Sequence, residues 1–227
     1  MKISNYIYIG IAAILILFAG CEKDNYEAPK SMLTGRVVHD GQAIGVRSNG
    51  VQLELWQHGF QLFNKIPVYI AQDGTFSAEV FDGDYKLTLV RGNGPWADNV
   101  DSINVKVAGA TSLDVPVDPY FVIRNESFQN SSTTVTATFT LARVNTTRNF
   151  ENVRLYIGQT VLVDNVINVA NSQKTAAEIP DLTQPITLTV NIPASLAGKG
   201  YVYARIGVKT AGVAEYLYGQ AQKITIN

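Results

Sequence analysis

Cys21 is the single cysteine of this 227-residue chain, so its thiol is the one sulfur available for nucleophilic or acyl-acceptor chemistry. It follows an uncharged apolar run, from about Ile7 to Phe18, that ends in the small residues Ala19 and Gly20, and one basic residue, Lys2, precedes that run. The layout reads as a secretory signal over residues 1–20, with small side chains admitting a peptidase next to Cys21 and the cysteine accepting lipid. The run is shorter than the roughly 20 apolar residues that span a bilayer, and no basic cluster follows it. One acyl chain holds a protein only marginally, whereas several hold it almost permanently. The sequence therefore predicts contact with a membrane through lipid on Cys21.

Other reactive groups are sparse. The two histidines, His39 and His58, stand beside turn-like sequence and read as solvent-facing loop residues. No His-x-x-x-His pair, paired cysteines or calcium-loop spacing accompanies them, so no metal site is expected. No Gly-x-Ser-x-Gly elbow is present, and the lone cysteine is committed to lipid. Carboxylates such as Asp73, Asp82 and Asp84 precede or follow turn glycines, where aspartate accepts local backbone bonds without any catalytic role. Catalytic residues and cofactors are therefore expected to be absent.

Binding chemistry is better represented. Sugar rings pack their C–H faces on aromatic rings and satisfy their hydroxyls with amides and carboxylates. Trp96 lies in Gly92-Asn93-Gly94-Pro95-Trp96-Ala97-Asp98-Asn99, which puts an indole beside Asn93, Asp98 and Asn99. Packing on the domain is the competing role for that tryptophan. Trp56 continues the alternation Val51-Gln52-Leu53-Glu54-Leu55 on the polar side, so it is either exposed or set between modules. Tyr201, Tyr203, Tyr216 and Tyr218 share faces of their strands and are expected in cores.

Fold class follows from composition and period. With no second cysteine there is no disulfide framework, and the 18 basic against 19 acidic residues lack the basic footprint that nucleic acid requires. Val, Ile, Thr, Tyr and Phe recur in short alternating runs divided by Gly, Asn and Asp, which predicts an all-β chain. Residues 21–28 form a polar tether. Strands are expected over 32–39, 51–57, 66–70, 75–81, 85–90, 103–107 and 112–117, with turns at Asp40-Gly41, Asp73-Gly74 and Asp82-Gly83. The rigid Val115-Pro116-Val117-Asp118-Pro119 then leads into strands over 120–126, 133–142, 153–158, 160–168, 174–179, 186–192, 201–208 and 216–226.

Residues 29–118, through Leu33-Thr34-Gly35-Arg36-Val37-Val38, Asp73-Gly74-Thr75-Phe76 and Gly83-Asp84-Tyr85-Lys86-Leu87, resemble the transthyretin-like or carboxypeptidase-regulatory-like β-sandwich. Residues 119–227, through Tyr201 to Val208, resemble an immunoglobulin or fibronectin type III sandwich, with Tyr201 as the tyrosine that closes a corner. Arg91-Gly92-Asn93-Gly94-Pro95-Trp96 and Asp118-Pro119-Tyr120-Phe121, with the signal and tether, resemble uncharacterised two-domain surface lipoproteins of gut Bacteroidetes associated with starch-utilisation-type polysaccharide uptake loci. The resemblance implies an outer-membrane, surface-facing location, a glycan ligand and a neighbouring uptake complex. The acidic tether is similar to the export tag of such lipoproteins, and a solvated linker accounts for it equally. Asp101-Ser102-Ile103 is similar to the acceptor pattern for protein O-glycosylation in the same bacteria, with Ser102 as the acceptor. A structural or adhesion spacer is the alternative role.

Overall fold

The computed structural model describes residues 27–59 and 62–226. Cys21, the signal segment 1–20 and most of the tether 21–28 lie outside them. None of the described helices is long and apolar enough to cross a membrane.

Alternation of buried and exposed positions builds two β-sandwiches in tandem. In the first, β1 (Ser31–His39) takes β2 (Gln42–Ala43) and β5 (Thr75–Val80) as antiparallel neighbours and β8 (Ala110–Pro116) as a parallel one. The facing sheet runs β4 (Lys65–Tyr69), β3 (Gln52–Gln57), β6 (Gly83–Leu89), β7 (Ser102–Val107), all antiparallel. Leu33, Val37, Phe76 and Val115 from one sheet meet Leu53, Leu55, Leu87 and Val105 from the other in a single apolar core. The expected Asp40-Gly41 turn has φ of 49° and 73°, the paired left-handed values that a two-residue hairpin needs to follow strand twist. A tyrosine hydroxyl does close a corner in this sandwich: Tyr85 donates to the Phe81 carbonyl at 2.9 Å.

The second sandwich pairs β13 (Ile186–Asn191), β10 (Thr134–Arg143) and β9 (Phe121–Asn130) in one sheet. The other holds β12 (Ala170–Thr175), β11 (Phe150–Gly158), β14 (Tyr201–Thr210) and β15 (Leu217–Tyr218), with β16 (Gln222–Thr225) also on β14. Four expectations of strand and corner fail here. The strand expected over 174–179 ends at Thr175, and residues Ala176–Glu178 turn as a short 3-10 helix because the Glu178 carboxylate accepts the Thr175 N–H at 2.8 Å. Residues 160–168 form a loop, because the buried Asp164 carboxylate accepts the Val166 and Ile167 N–H groups at 2.8 Å each and bends the chain. The long strand over 216–226 is split into β15 and β16. Tyr201 closes no corner: it stands half-buried under the Lys223 ammonium, 4.2 Å from the ring centre, and against Tyr203. Tyr216 and Tyr218 are core residues as expected, packed with Tyr156, and the half-buried Tyr203 packs against that cluster, whereas Tyr201 stands outside it.

Arg205 joins the sandwiches. It is fully buried on β14, and its guanidinium donates to the carbonyls of Gly219 (2.8 Å), Val46 (3.1 Å) and Gln72 (2.5 Å), the last two belonging to the first sandwich. The cation also lies over the Tyr218 ring at 4.4 Å, and the Tyr218 N–H donates to Gly45 at 2.9 Å. A Cβ on Gly45 would stand 2.5 Å from the Tyr218 carbonyl, so only glycine permits this approach. Arg47 and Glu215 pair across the same seam, and Val122 and Leu217 of the second sandwich enter the core of the first. Burial pushes the Arg205 guanidinium down to about 10, partly offset by the charges of Asp164, Asp73 and Glu126. Burial also raises the Glu126 carboxyl, with the Arg205 charge opposing it.

Arg205→Ala strands three carbonyls at the seam and should cost about 4 kcal/mol in urea unfolding, with one cooperative transition splitting into two. A loss below about 1 kcal/mol with the single transition retained would remove the seam from this role. Glu126 is more easily protonated in the fold than in the open chain, so its stabilising contribution is complete below the ordinary carboxylate range and is lost as pH rises through the raised value. Glu126→Gln should therefore raise the thermal midpoint more at about pH 8 than at about pH 4, and an equal shift at both would contradict the burial argument.

Candidate functional site

The outer face of the β4-β3-β6-β7 sheet carries the surface suited to a ligand. A strand buried on one side sends alternate residues outward, here Trp56 on β3, Asp84, Lys86 and Thr88 on β6, and Ser102, Asn104 and Lys106 on β7. Register brings them together: Trp56 is flanked by Lys65 on one side and Lys86 on the other, Lys86 faces Asn104, and Asp84 faces Lys106. Trp56 is half-buried, and its indole N–H donates to the Thr88 hydroxyl at 3.2 Å, which fixes the ring on the sheet. Phe63, half exposed, lies 5.2 Å from the indole centre and stacks on His58 at 4.5 Å. A groove of about 580 Å³ on this face is lined by residues that include Trp56, His58, Asp84, Lys86, Asn104 and Lys106. Lys65 is neutralised by Glu54, while Lys86 and Lys106 have no carboxylate within ion-pair distance among the described residues.

The loop that holds Trp96 is built differently. Trp96 is 4% exposed and belongs to the core of the first sandwich, so its ring has no face to offer a ligand. The indole folds back over Gly94, where a Cβ would come within 2.1 Å of the ring, and its backbone bridges to Pro119 at the start of the second sandwich. Asn93 imitates a strand partner: its side-chain carbonyl accepts the Gln52 N–H at 2.8 Å and its amide donates to the Gly50 carbonyl at 3.1 Å. Asp98 accepts the Gly92 N–H at 2.7 Å, and Asn99 accepts the Asp101 N–H at 2.8 Å. The cluster expected around Trp96 is therefore loop scaffolding, because a glycine-rich loop that crosses the end of a sandwich needs a plug and local acceptors.

His39 is not a loop residue either. It ends β1 half-buried, with Nδ1 3.2 Å from the Val117 carbonyl. His58 is exposed, as expected, but against Phe63. Ser102 is exposed at the start of β7, opposite Thr88. Among the described residues no group of three or more His, Cys, Asp or Glu side chains is placed to hold a metal ion. Phe63 and the Lys86, Asn104 and Lys106 row escaped the sequence reading. The one signal for the row was the two-residue alternation in Asp84 to Thr88 and Ser102 to Lys106, which any solvated strand face shares, and Phe63, in the segment before β4, had none.

The chain matches two family profiles in succession, the "Protein of unknown function (DUF3823) N-terminal domain" over residues 31–118 and the "Domain of unknown function (DUF3823_C)" over residues 121–223. It belongs to the DUF3823 family. A solved family member from Bacteroides ovatus is 41% identical, with a TM-score of 0.81 over 87% of this chain and 100% of the other. One from Parabacteroides merdae is 33% identical, with a TM-score of 0.80 over 88% of this chain and 100% of the other. A Bacteroides uniformis protein described as a "putative carbohydrate binding protein" shares 20% identity and the fold, with a TM-score of 0.69 over 87% of this chain and 100% of its own. No curated protein matches the chain.

The two tryptophans should separate cleanly on mutation. Trp96→Ala opens a cavity in the core and should cost about 3–5 kcal/mol in chemical unfolding, whereas Trp56→Ala, on a solvated face, should cost about 1 kcal/mol. Equal losses would contradict the division between plug and surface ring.

Proposed function

We propose that the chain is a non-catalytic glycan-binding lipoprotein, anchored to the outer membrane through Cys21, facing outward and serving a polysaccharide uptake complex. The observation that carries the reading is the half-exposed Trp56 indole, held by Thr88 beside Phe63, on a sheet face that also offers Asn104, Asp84 and Lys86 to sugar hydroxyls. The name given to the Bacteroides uniformis protein of the same fold agrees with it. Catalysis finds less support: glycoside hydrolysis needs two carboxyl groups flanking one bond, and Asp84 is the single carboxylate among the described residues lining the groove.

Placement near a membrane is consistent with the path of the chain. The Ser31 hydroxyl bonds to the Asp82 carboxylate, and Asp82 begins the turn into β6 that supplies Asp84 and Lys86. The groove thus lies at the end of the sandwich where the tether enters. Nine residues between Cys21 and Ser31 reach about 30 Å when extended. Ser102 on the same face is a further proposed site, for O-linked glycan, which intact-mass analysis of protein from its native envelope would reveal as a discrete addition lost in Ser102→Ala.

A contact-module role has one observation in its favour. The 160–168 loop and its flank expose Val161, Leu162, Val166, Ile167 and Val169, with Asp164 holding the loop rigid. Five half-exposed aliphatic side chains form a patch on the order of 400 Å², about half of what one partner gives a standard interface. The glycan reading is therefore preferred.

Affinity electrophoresis and calorimetry against a polysaccharide panel test it. At least one polysaccharide should bind, and Trp56→Ala should weaken that binding about tenfold, which corresponds to roughly 1.4 kcal/mol. Binding unchanged by the substitution would move the site elsewhere, and no binding at all would leave the contact module as the better reading. Metabolic labelling with a fatty acid should mark the wild-type chain and not Cys21→Ser.

A further inference from the structure

Lys86 and Lys106 stand apart from the other cations of the first sandwich. Lys30, Arg36, Arg47, Lys65 and Arg91, which are the remaining lysines and arginines between residues 27 and 118, each have a carboxylate within 4.0 Å. Lys86 and Lys106 have none among the described residues, although Asp84 faces Lys106 in register. Both line the groove beside Trp56, and they are diagonal neighbours on adjacent antiparallel strands, where two like charges repel. Lys86 also sits directly opposite the indole, so an anion bound to its ammonium would lie at the rim of any ring stacked on Trp56.

We infer that the groove selects anionic glycans, with Lys86 and Lys106 receiving the carboxylate of a uronic acid or the sulfate of a sulfated sugar while Trp56 takes the ring face. The inference rests on the reading of this face as a glycan site and adds the charge of its ligand. Lysine suits this task because its ammonium is a mobile point charge with three donors, able to follow an anion whose position varies along a polymer. Asp84, on the same wall, is left to accept sugar hydroxyls, and its charge works against a polymer packed with anions at every ring. Sparse anionic residues in an otherwise hydroxyl-rich chain fit the groove best.

Matched probes test this on the full chain purified from membranes. A xylan bearing occasional glucuronate branches is compared with its carboxyl-reduced form, and a lightly sulfated galactan with its desulfated form, so that carboxylate and sulfate are separated. The expected result is binding of at least one anionic member about tenfold tighter than its neutral partner, falling as salt rises from about 0.02 M to about 0.5 M. Lys86→Gln with Lys106→Gln should abolish that preference without lowering the thermal midpoint, and Trp56→Ala should weaken both members of the pair. Equal affinity for neutral and anionic partners, unaffected by the lysine substitutions, overturns the charge selection and leaves the glycan site standing. Failure of all four probes and of the wider neutral panel overturns both.

Discussion

A single desolvated guanidinium governs how this molecule is put together. Arg205 has no exposed surface, and a cation in that position is tolerated because carbonyls from both sandwiches, the face of Tyr218 and the charges of Asp164, Asp73 and Glu126 offset its burial, although its buried Nη1 makes no hydrogen bond among the described residues. Its planar fork reaches Gly219 in its own sandwich and Val46 and Gln72 in the other, a geometry that a lysine ammonium could not span. The two domains therefore meet at a defined angle. Gly45, Arg47, Glu215, Val122 and Leu217 complete the seam with backbone, ionic and apolar contacts.

That rigidity shapes the first sandwich as a platform. One end is occupied by the seam, plugged by Trp96 and braced by Asn93, so the ligand-suited surface falls on an outer sheet face toward the other end. The inner residues of β3 and β6 are core aliphatics, and their outward neighbours inherit fixed positions through the ladder. The groove on this face thus has its lining side chains held in place by the ladder beneath them. The 160–168 loop is held through Asp164 as well, and the side chains it exposes are mainly aliphatic, with Thr160 and Asn165 as the exposed polar ones.

Much of the architecture was legible in residue order. Strict alternation in Val51 to Leu55 and in Thr134 to Leu141, and aspartate-glycine pairs between strands, specify half-buried strands and tight turns through local sterics alone. The failures have local causes too. Val161 to Val169 has strand-like composition, yet one buried aspartate accepting two backbone N–H groups outweighs that preference. Tyr201 begins a strand whose pattern fits a corner, but the hydroxyl that closes one belongs to Tyr85, four residues beyond its acceptor.

Residue order alone thus settles an all-β chain in two modules, with a single cysteine and a nearly balanced charge. Which tryptophan faces solvent was settled by tertiary contact. Trp56 and Trp96 both stand among polar and glycine residues, and an indole is apolar enough to plug a core and polar enough at its N–H to sit on a surface. Their fates diverge because Gly94 lets one ring fold inward against the domain junction, while Thr88 from a neighbouring strand and Phe63 from the segment before β4 hold the second on the outside. The same long-range pairing placed Lys86 and Lys106 beside that ring without a counter-charge, a juxtaposition of residues twenty positions apart that no local pattern encodes.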